Sequence, residues 1–150
     1  MIEIASESDM KRFGETLGRL LIGGETIELV GDVGAGKTTL VKGLARSLGI
    51  TDDIQSPSFT ISRTYDARDQ LQLMHYDFYR LDDPGIMAAD LHEATSSASV
   101  ITVVEWADVA RSILPMERLT LYITPIDEAT RQIDVQSHGA HTATLVRGLL

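Results

Sequence analysis

The sequence predicts an α/β domain whose central sheet is mixed and mostly parallel, flanked by helices and extended by added antiparallel strands. Segments with helical periodicity alternate with segments of strand periodicity along the chain, as they do in domains that pack helices against a parallel sheet. Residues 100–104 form an unbroken apolar and β-branched run, which is typical of a strand covered on both faces. Two alternating segments around a polar turn at 66–70 indicate an antiparallel hairpin.

Size and composition indicate one folded domain. The chain has 150 residues, of which 43% are hydrophobic and 23% are charged, values close to the average of globular domains. Residues 1–150 are therefore predicted to form one domain with one core, and disorder, collagen and coiled coil are disfavoured. The longest apolar runs have about five residues, whereas a membrane span needs roughly 20.

Residue usage and charge exclude several classes of function. The chain has no cysteine, which excludes disulfides, thiolate zinc sites and cysteine nucleophiles. The first residues lack the basic flank and apolar block of a secretory signal, so we expect a cytoplasmic protein. The net charge of −9 at pH 7 disfavours unaided, non-specific binding to a nucleic-acid backbone.

The first elements follow from capping and periodicity. Ser6 is predicted to cap a helix that ends at Gly23, and its core face carries apolar residues at helical spacing: Phe13, Leu17, Leu20 and Leu21. Residues 26–30 are predicted to form a short, largely buried strand. A glycine-rich turn at 31–36 follows, and a helix at 37–48 is predicted to end at Gly49.

The rest of the chain alternates between short elements and polar turns. The patterns predict a loop at 50–58, strands at 59–65 and 71–76, a turn at 82–85, a helix at 86–95, a strand at 100–104, a short helix at 106–112 and strands at 118–124 and 131–136. The last dozen residues carry too weak a pattern for a prediction.

Residues 31–38, which read Gly-Asp-Val-Gly-Ala-Gly-Lys-Thr, match the phosphate-loop motif G-x-x-x-x-G-K-[ST] in full. The motif follows a predicted strand and opens a predicted helix, which is the setting that it requires. Its glycines let successive N–H groups turn toward phosphate oxygens, and the helix N-terminus adds partial positive charge. We expect Lys37 to reach the β- and γ-phosphates of a nucleoside triphosphate and the Thr38 hydroxyl to bind Mg²⁺.

A second acidic group should complete such a magnesium site. Glu105 is the first charge after the buried run at 100–104, and the carboxyl ends of parallel strands form the ligand crevice of α/β sheets. The alternative is a carboxylate that begins a solvated loop. Trp106, the only tryptophan, either packs in the core or shapes the site.

Polar residues also alternate at 75–79. If the strand continues, His75, Asp77 and Tyr79 share one face, where they could position water or handle protons. The alternative is a solvated strand face with Arg80 in a surface ion pair. A His-x-Asp pair could bind a metal, but the sequence suggests no third protein ligand. The loop at 55–60 is either a segment that senses the γ-phosphate or an ordinary proline turn.

Four motifs occur in an order and spacing that resemble the TsaE (formerly YjeE) family. They are the phosphate loop extended to residue 39, Ser-Pro-Ser-Phe at 56–59, His-Tyr-Asp-Phe-Tyr-Arg-Leu at 75–81 and Val-Glu-Trp at 104–106, and the resemblance covers roughly residues 5–137. One departure is Ser58, where the family commonly has threonine, and the hydroxyl is retained.

The resemblance implies a small P-loop NTPase-like fold, ATP and Mg²⁺ as ligands, and weak ATP hydrolysis. It implies assembly with the TsaB–TsaD pair, which transfers the threonylcarbamoyl group to adenosine 37 of certain tRNAs, so that tRNA is met indirectly through the complex. In such proteins hydrolysis supports multiple turnover and does not perform the transfer.

The resemblance also implies residue roles. Lys37 binds phosphate, Thr38 and Glu105 hold Mg²⁺, and Asp77 orients or activates the attacking water. With Lys37 and Glu105, Asp77 makes up the predicted catalytic set. The predicted nucleotide-binding set is Glu7, Asp32, Val33, Gly34, Ala35, Gly36, Lys37, Thr38, Thr39, Trp106 and Arg131. An arginine that stabilises the transition state is not evident, and Arg80 or a partner's arginine could serve.

Three other functions compete with this interpretation. A small-molecule kinase needs an acceptor pocket and usually an arginine-rich lid, and the sequence has no arginine-dense segment. A GTPase commonly selects guanine with an Asn-Lys-x-Asp motif, which a chain without asparagine cannot supply. A nucleotide-sensing adaptor would bind ATP only to order a docking surface, and steady phosphate release would distinguish it from an ATPase.

Overall fold

The computed structural model describes residues 1–57, 60–83, 85 and 87–150. Within them lie seven strands and four α-helices: β1 Ile2–Ile4, α1 Glu7–Leu20, β2 Thr26–Val30, α2 Lys37–Ser47, β3 Ser62–Asp66, β4 Gln72–Asp77, α3 Met87–Ser96, β5 Val100–Glu105, β6 Leu119–Pro125, β7 Arg131–Ser137 and α4 Ala140–Leu149. Short 3-10 helices occupy Arg68–Gln70 and Ala107–Ile113.

The strands form one mixed sheet in the order β1-β7-β6-β2-β5-β4-β3. Strands β6, β2, β5 and β4 are parallel neighbours, whereas β1, β7 and β3 join the sheet by antiparallel pairing. The predicted fold class is confirmed, because parallel strands form the middle of the sheet and antiparallel strands extend it on both sides.

Parallel pairing brings the carboxyl ends of β2, β5 and β4 to the same edge of the sheet. Leu29 of β2 lies opposite Glu105 of β5, which lies opposite Asp77 of β4. Since β2 leads directly into the glycine-rich loop, that loop begins beside both carboxylates. Open α/β sheets bind their ligands at such an edge.

Helices cover both faces of the sheet. On one face, α1, α2 and α4 pack over a core that includes Ile101 and Val103 of β5. On the other face, α3 and the second 3-10 helix pack over Val100 and Val104. Alternate residues of β5 therefore enter two cores, as the two-residue period of a strand requires.

Helices α1 and α2 approach each other closely at glycines. A Cβ atom added at Gly14 would lie 2.2 Å from the carbonyl oxygen of Leu40, and one at Gly43 would lie 2.0 Å from that of Lys11. A larger residue would push the two backbones apart. The two glycines thus allow α1 to pack closely against α2, the helix that begins at Lys37.

Most predicted elements are confirmed. Ser6 caps α1, and its Oγ accepts a hydrogen bond from the N–H of Asp9 at 3.1 Å. The strand predicted at 59–65 begins only at Ser62, because Ile61 has a φ of 70°, which extended backbone does not allow. Four residues that belong to predicted loops, turns, strands or helices lie outside the described residues: Ser58, Phe59, Pro84 and Ile86.

Two elements are absent from the sequence predictions, β1 and α4. With three residues, β1 is too short for periodicity to reveal. Helix α4 follows Gly139, which has no side chain to cap it, and its first turn is capped from a distance by Glu117. The Glu117 carboxylate accepts hydrogen bonds from His141 N–H at 2.9 Å and Thr142 Oγ1 at 2.8 Å.

The described residues contain no helix with both the length and the apolar composition required to cross a membrane.

Candidate functional site

The loop between β2 and α2 has a backbone shape that depends on glycine. Gly34 and Gly36 have φ values of 85° and 106°, in the left-handed region that glycine adopts at little cost. Gly36 is also the N-cap of α2, and because it has no side chain it leaves the first N–H groups of the helix for a ligand. Such an arrangement suits a phosphate group.

Lys37 is buried beside this loop, with 6% of its surface exposed. Its Nζ donates a hydrogen bond to the carbonyl oxygen of Gly31 at 2.6 Å and lies 3.8 Å from Oε1 of Glu105. Burial lowers the pKa of Lys37, although nearby Glu105, Asp77 and Asp32 act in the opposite direction. A cation is therefore held at the sheet edge among acidic groups.

Glu105 ends β5 and is 2% exposed, which excludes the alternative of a carboxylate on a solvated loop. Its Oε2 lies 2.5 Å from Nε2 of His75 in the neighbouring strand. This contact could not be predicted from the sequence, because it joins residues 30 positions apart and depends on the register of β4 and β5.

Asp77 ends β4 and is also buried, so the alternative of a solvated strand face is wrong. Its Oδ2 accepts a hydrogen bond from Ser56 Oγ at 3.0 Å, and its Oδ1 accepts one from Tyr79 N–H at 2.9 Å. The second bond closes a local turn. The sequence predicts that Tyr79 shares a strand face with His75 and Asp77. This prediction is wrong, because the strand ends at Asp77.

Trp106 follows β5 in the left-handed backbone conformation, with φ 55° and ψ 51°. Its ring centroid lies 4.0 Å from Lys37 Nζ and 4.8 Å from the ring of Tyr79. A cation over an indole face is attracted by the ring electrons. Trp106 is half-buried and contacts Lys37, so it does not belong to the deep core, and its role in shaping a nucleotide site stays a prediction.

A cleft of about 510 Å³ opens next to the glycine-rich loop, a volume within the range of small-molecule sites. Its walls come from the start of α1, the loop with the first turn of α2, and the turn between β6 and β7; the lining residues are Ser6, Glu7, Met10, Gly34, Ala35, Gly36, Thr39, Glu128, Ala129 and Arg131. Three distant predicted residues thus meet at one cleft: Glu7, Thr39 and Arg131. Met10 and Glu128 carry no motif that could have identified them.

Arg131 joins the loop to the turn before β7. Its Nε donates to the carbonyl oxygen of Ala35 at 3.2 Å and its Nη2 to that of Gly34 at 3.4 Å. Its Nη1 donates to three carbonyl oxygens of the turn, at Asp127, Glu128 and Thr130. Arg131 therefore borders the predicted nucleotide site and fixes the backbone that surrounds it.

The other predicted residues lie around Lys37. Asp32 and Val33 are exposed on the loop, whereas Ala35 is buried under it. Thr38 and Thr39 are half-buried in the first turn of α2.

The residue types at the sheet edge suit magnesium. The Thr38 hydroxyl and the Glu105 carboxylate are hard oxygen donors, which Mg²⁺ prefers. In the part of the chain that the structure describes, no three His, Cys, Asp or Glu side chains are grouped to hold a metal by themselves. That suits an ion that takes most of its ligands from phosphate and water.

Comparisons with known proteins identify the family of the chain. The model of the family described as "Threonylcarbamoyl adenosine biosynthesis protein TsaE" matches residues 4–133. Two relatives are named tRNA threonylcarbamoyladenosine biosynthesis protein TsaE. The one from Nostoc sp. is 32% identical over 148 residues, covering 97% of this chain and 90% of the relative. The one from Treponema pallidum is 38% identical over 134 residues, covering 87% and 95%.

A solved structure supports the same relationship. The crystal structure of YdiB from Bacillus subtilis matches with a TM-score of 0.81 at 30% identity, covering 99% of this chain and 91% of that one. The family match spans the glycine-rich loop, both buried carboxylates and Arg131. The chain therefore belongs to the TsaE family of threonylcarbamoyl adenosine biosynthesis proteins.

Proposed function

We propose that the protein binds ATP with Mg²⁺ at loop 31–38 and hydrolyses it slowly, in support of the TsaB–TsaD pair. That pair would transfer the threonylcarbamoyl group to adenosine 37 of tRNA, so tRNA would be met through the complex, in the cytoplasm. The observation that carries the proposal is the buried Lys37 ammonium at the glycine-rich loop, beside the carboxylate that ends β5. The family's place in threonylcarbamoyl adenosine biosynthesis supports the setting.

The chain's charges would act on the phosphates. Lys37 and the loop amides would stabilise negative charge on the β- and γ-phosphates, which is the main source of catalysis in phosphoryl transfer. A phosphate oxygen would replace the Gly31 carbonyl as partner of the ammonium. Thr38 and Glu105 are the residues that would hold Mg²⁺. When bound, Mg²⁺ would neutralise negative charge on the phosphates.

Asp77 is the residue that we assign to the attacking water. Its carboxylate is held by hydrogen bonds from Ser56 Oγ and Tyr79 N–H, which fix its orientation. It lies opposite Glu105 in the sheet register. A carboxylate oriented beside the γ-phosphate would align water for in-line attack.

The cleft beside the loop would take the nucleoside. It adjoins Gly34, Ala35 and Gly36, so a nucleotide whose phosphates occupy the loop can extend into it. Glu7 on α1 and Arg131 border this space.

Slow hydrolysis by the isolated protein would follow if the arginine that stabilises the transition state comes from a partner. Arg131 is committed to backbone carbonyls, and Arg111 and Arg118 bind Glu28. An arginine that stabilises the transition state is worth about 10³–10⁵ in rate. Arg80 or an arginine of the TsaB–TsaD pair would supply it.

The test measures phosphate release by purified protein mixed with TsaB–TsaD, ATP and Mg²⁺. Lys37→Ala should lower the rate by about 10²–10³, the usual cost of losing one preorganised charge-stabilising group. Lys42→Ala is the matched control, because Lys42 is exposed on the same helix. Equal rates for Lys37→Ala and the parent would refute the proposal. Formation of a phosphorylated small molecule would point to a kinase, and one binding event without steady release would point to an adaptor.

A further inference from the structure

We infer that His75 is a positioning residue that holds Glu105 in the orientation needed for Mg²⁺, an inference that rests on the proposed function. His75 lies in β4, has no exposed surface, and has its Nε2 2.5 Å from Oε2 of Glu105. The roles proposed so far for Lys37, Thr38, Asp77 and Glu105 do not use this imidazole.

The direction of the hydrogen bond follows from the chemistry of its partners. A carboxylate can only accept, so Nε2–H of His75 donates to Glu105. Among the residues that the structure describes, Nδ1 of His75 has no hydrogen-bond partner. A buried polar nitrogen without a partner is costly. Among the described residues, the hydrogen bond to Glu105 is therefore the interaction that offsets the cost of burying the imidazole.

The Glu105 carboxylate is held from two sides. Oε2 accepts from His75, while Oε1 lies 3.8 Å from Lys37 Nζ. The side chains of His75 and Glu105 come from the neighbouring parallel strands β4 and β5. In their register, His75 lies opposite Val103, which is two residues before Glu105. Strands position groups more precisely than loops do. Hydrogen-bonding partners of metal ligands orient those ligands, and their loss usually costs 10–100-fold in metal affinity or activity.

Two substitutions separate donation from burial. In His75→Gln, the amide Nε2 is as many bonds from Cβ as the imidazole Nε2, so it can donate to the same oxygen. In His75→Asn, the amide nitrogen corresponds to Nδ1 and falls short of Glu105. Thr102→Val is the matched control, because Thr102 is buried in β5 and, within the described chain, its Oγ1 has no partner.

In the experiment, Mg²⁺ is titrated into the 150-residue protein in the presence of a fixed amount of a non-hydrolysable ATP analogue, and calorimetry measures binding. His75→Asn should need about 10–100-fold more Mg²⁺ for half-saturation, whereas His75→Gln should stay within about threefold of the parent. Thr102→Val should match the parent. Affinity for the analogue without Mg²⁺ should be similar in all four proteins, which a general loss of structure would not allow.

Several results would overturn the inference. A folded His75→Asn variant with the parent's Mg²⁺ requirement would do so, and so would a His75→Gln variant that is as impaired as His75→Asn. Thermal unfolding reports folding, and if His75→Asn does not fold, the donor-free His75→Met gives the same contrast with His75→Gln. A parent protein that binds the analogue without any response to Mg²⁺ would refute the proposed function itself, and with it this inference.

Discussion

The close approach of α1 to α2 at Gly14 gives a stability prediction. Gly14 of α1 faces the backbone of α2, where a Cβ atom would lie 2.2 Å from Leu40 O and 2.9 Å from Leu44 N. Real Cβ atoms essentially never come within 3.0 Å of another heavy atom, so Gly14→Ala must move one backbone by at least 0.8 Å, the difference between 3.0 and 2.2 Å. Backbone atoms of a helix cannot rotate away as a side chain can.

The magnitude follows from two opposing effects. Overpacking a well-packed contact costs about 1–3 kcal/mol, and a backbone clash belongs at the upper end of that range. Alanine favours the helix by about 0.5–1 kcal/mol over glycine. We therefore expect Gly14→Ala to lower the free energy of unfolding by about 2 kcal/mol, which lowers Tm by about 4–8 °C in a chain of this size.

This change is measured by urea and thermal unfolding, with circular dichroism as the signal. Gly148→Ala in α4 is the control, because its Cβ would meet only the flexible end of Leu20, at 2.9 Å from Cδ1. That variant should be as stable as the parent or more stable. If Gly14→Ala were as stable as Gly148→Ala, a side chain between α1 and α2 would not have the expected cost of about 2 kcal/mol.

Two further predictions concern a buried carboxylate and the cleft. Burial acts to raise the pKa of Glu28, but hydrogen bonds from Arg111, Arg118 and Thr120 outweigh it, so the pKa lies below its ordinary 4.5. Its ionised form therefore stabilises the fold above pH 4.5, and this contribution is lost as pH falls through the lowered pKa. Glu28→Gln should lower the free energy of unfolding by about 1–3 kcal/mol near neutral pH. In urea unfolding at a series of pH values, the difference in this free energy between the variant and the parent should become smaller in acid. A difference that does not change with pH would contradict the prediction. Arg131→Met should weaken binding of an ATP analogue about tenfold in calorimetry, since it removes charge-assisted bonds that fix the loop, whereas Arg147→Met on the surface of α4 should not; equal affinity would contradict the role given to Arg131.

The parts of the fold and site that could be predicted are those with local signals. The strand before loop 31–38, the loop itself and the start of the following helix lie within about a dozen residues. The phosphate-loop motif and the elements that it requires could therefore be predicted together. Glu105 was predicted from the buried run before it, and the structure places it at the sheet edge beside Lys37. Ser6 predicts the start of α1, because a capping hydrogen bond joins it to a residue only three positions away.

The parts that could not be predicted depend on contacts between distant residues. The His75–Glu105 bond requires the register of β4 and β5, and Arg131 reaches Ala35 across 96 positions. Helix α4 begins where Glu117 accepts from residues 24 and 25 positions later. Alternation in the sequence continues to Tyr79 and predicts that it lies on the strand face. In the structure, the Asp77 side chain accepts a hydrogen bond from the Tyr79 N–H, and the strand ends at Asp77.

The position of the only tryptophan gives the molecule a built-in optical reporter. Trp106 is the single indole of the chain, so emission excited at its absorption edge comes from one place. That place is 4.0 Å from the Lys37 ammonium, whose charge is attracted to the ring electrons, so we expect the emission to change when a ligand changes the charge there. If a triphosphate binds at loop 31–38 as proposed, its arrival and departure can be timed by stopped-flow spectroscopy on unlabelled protein, separately from the release of phosphate.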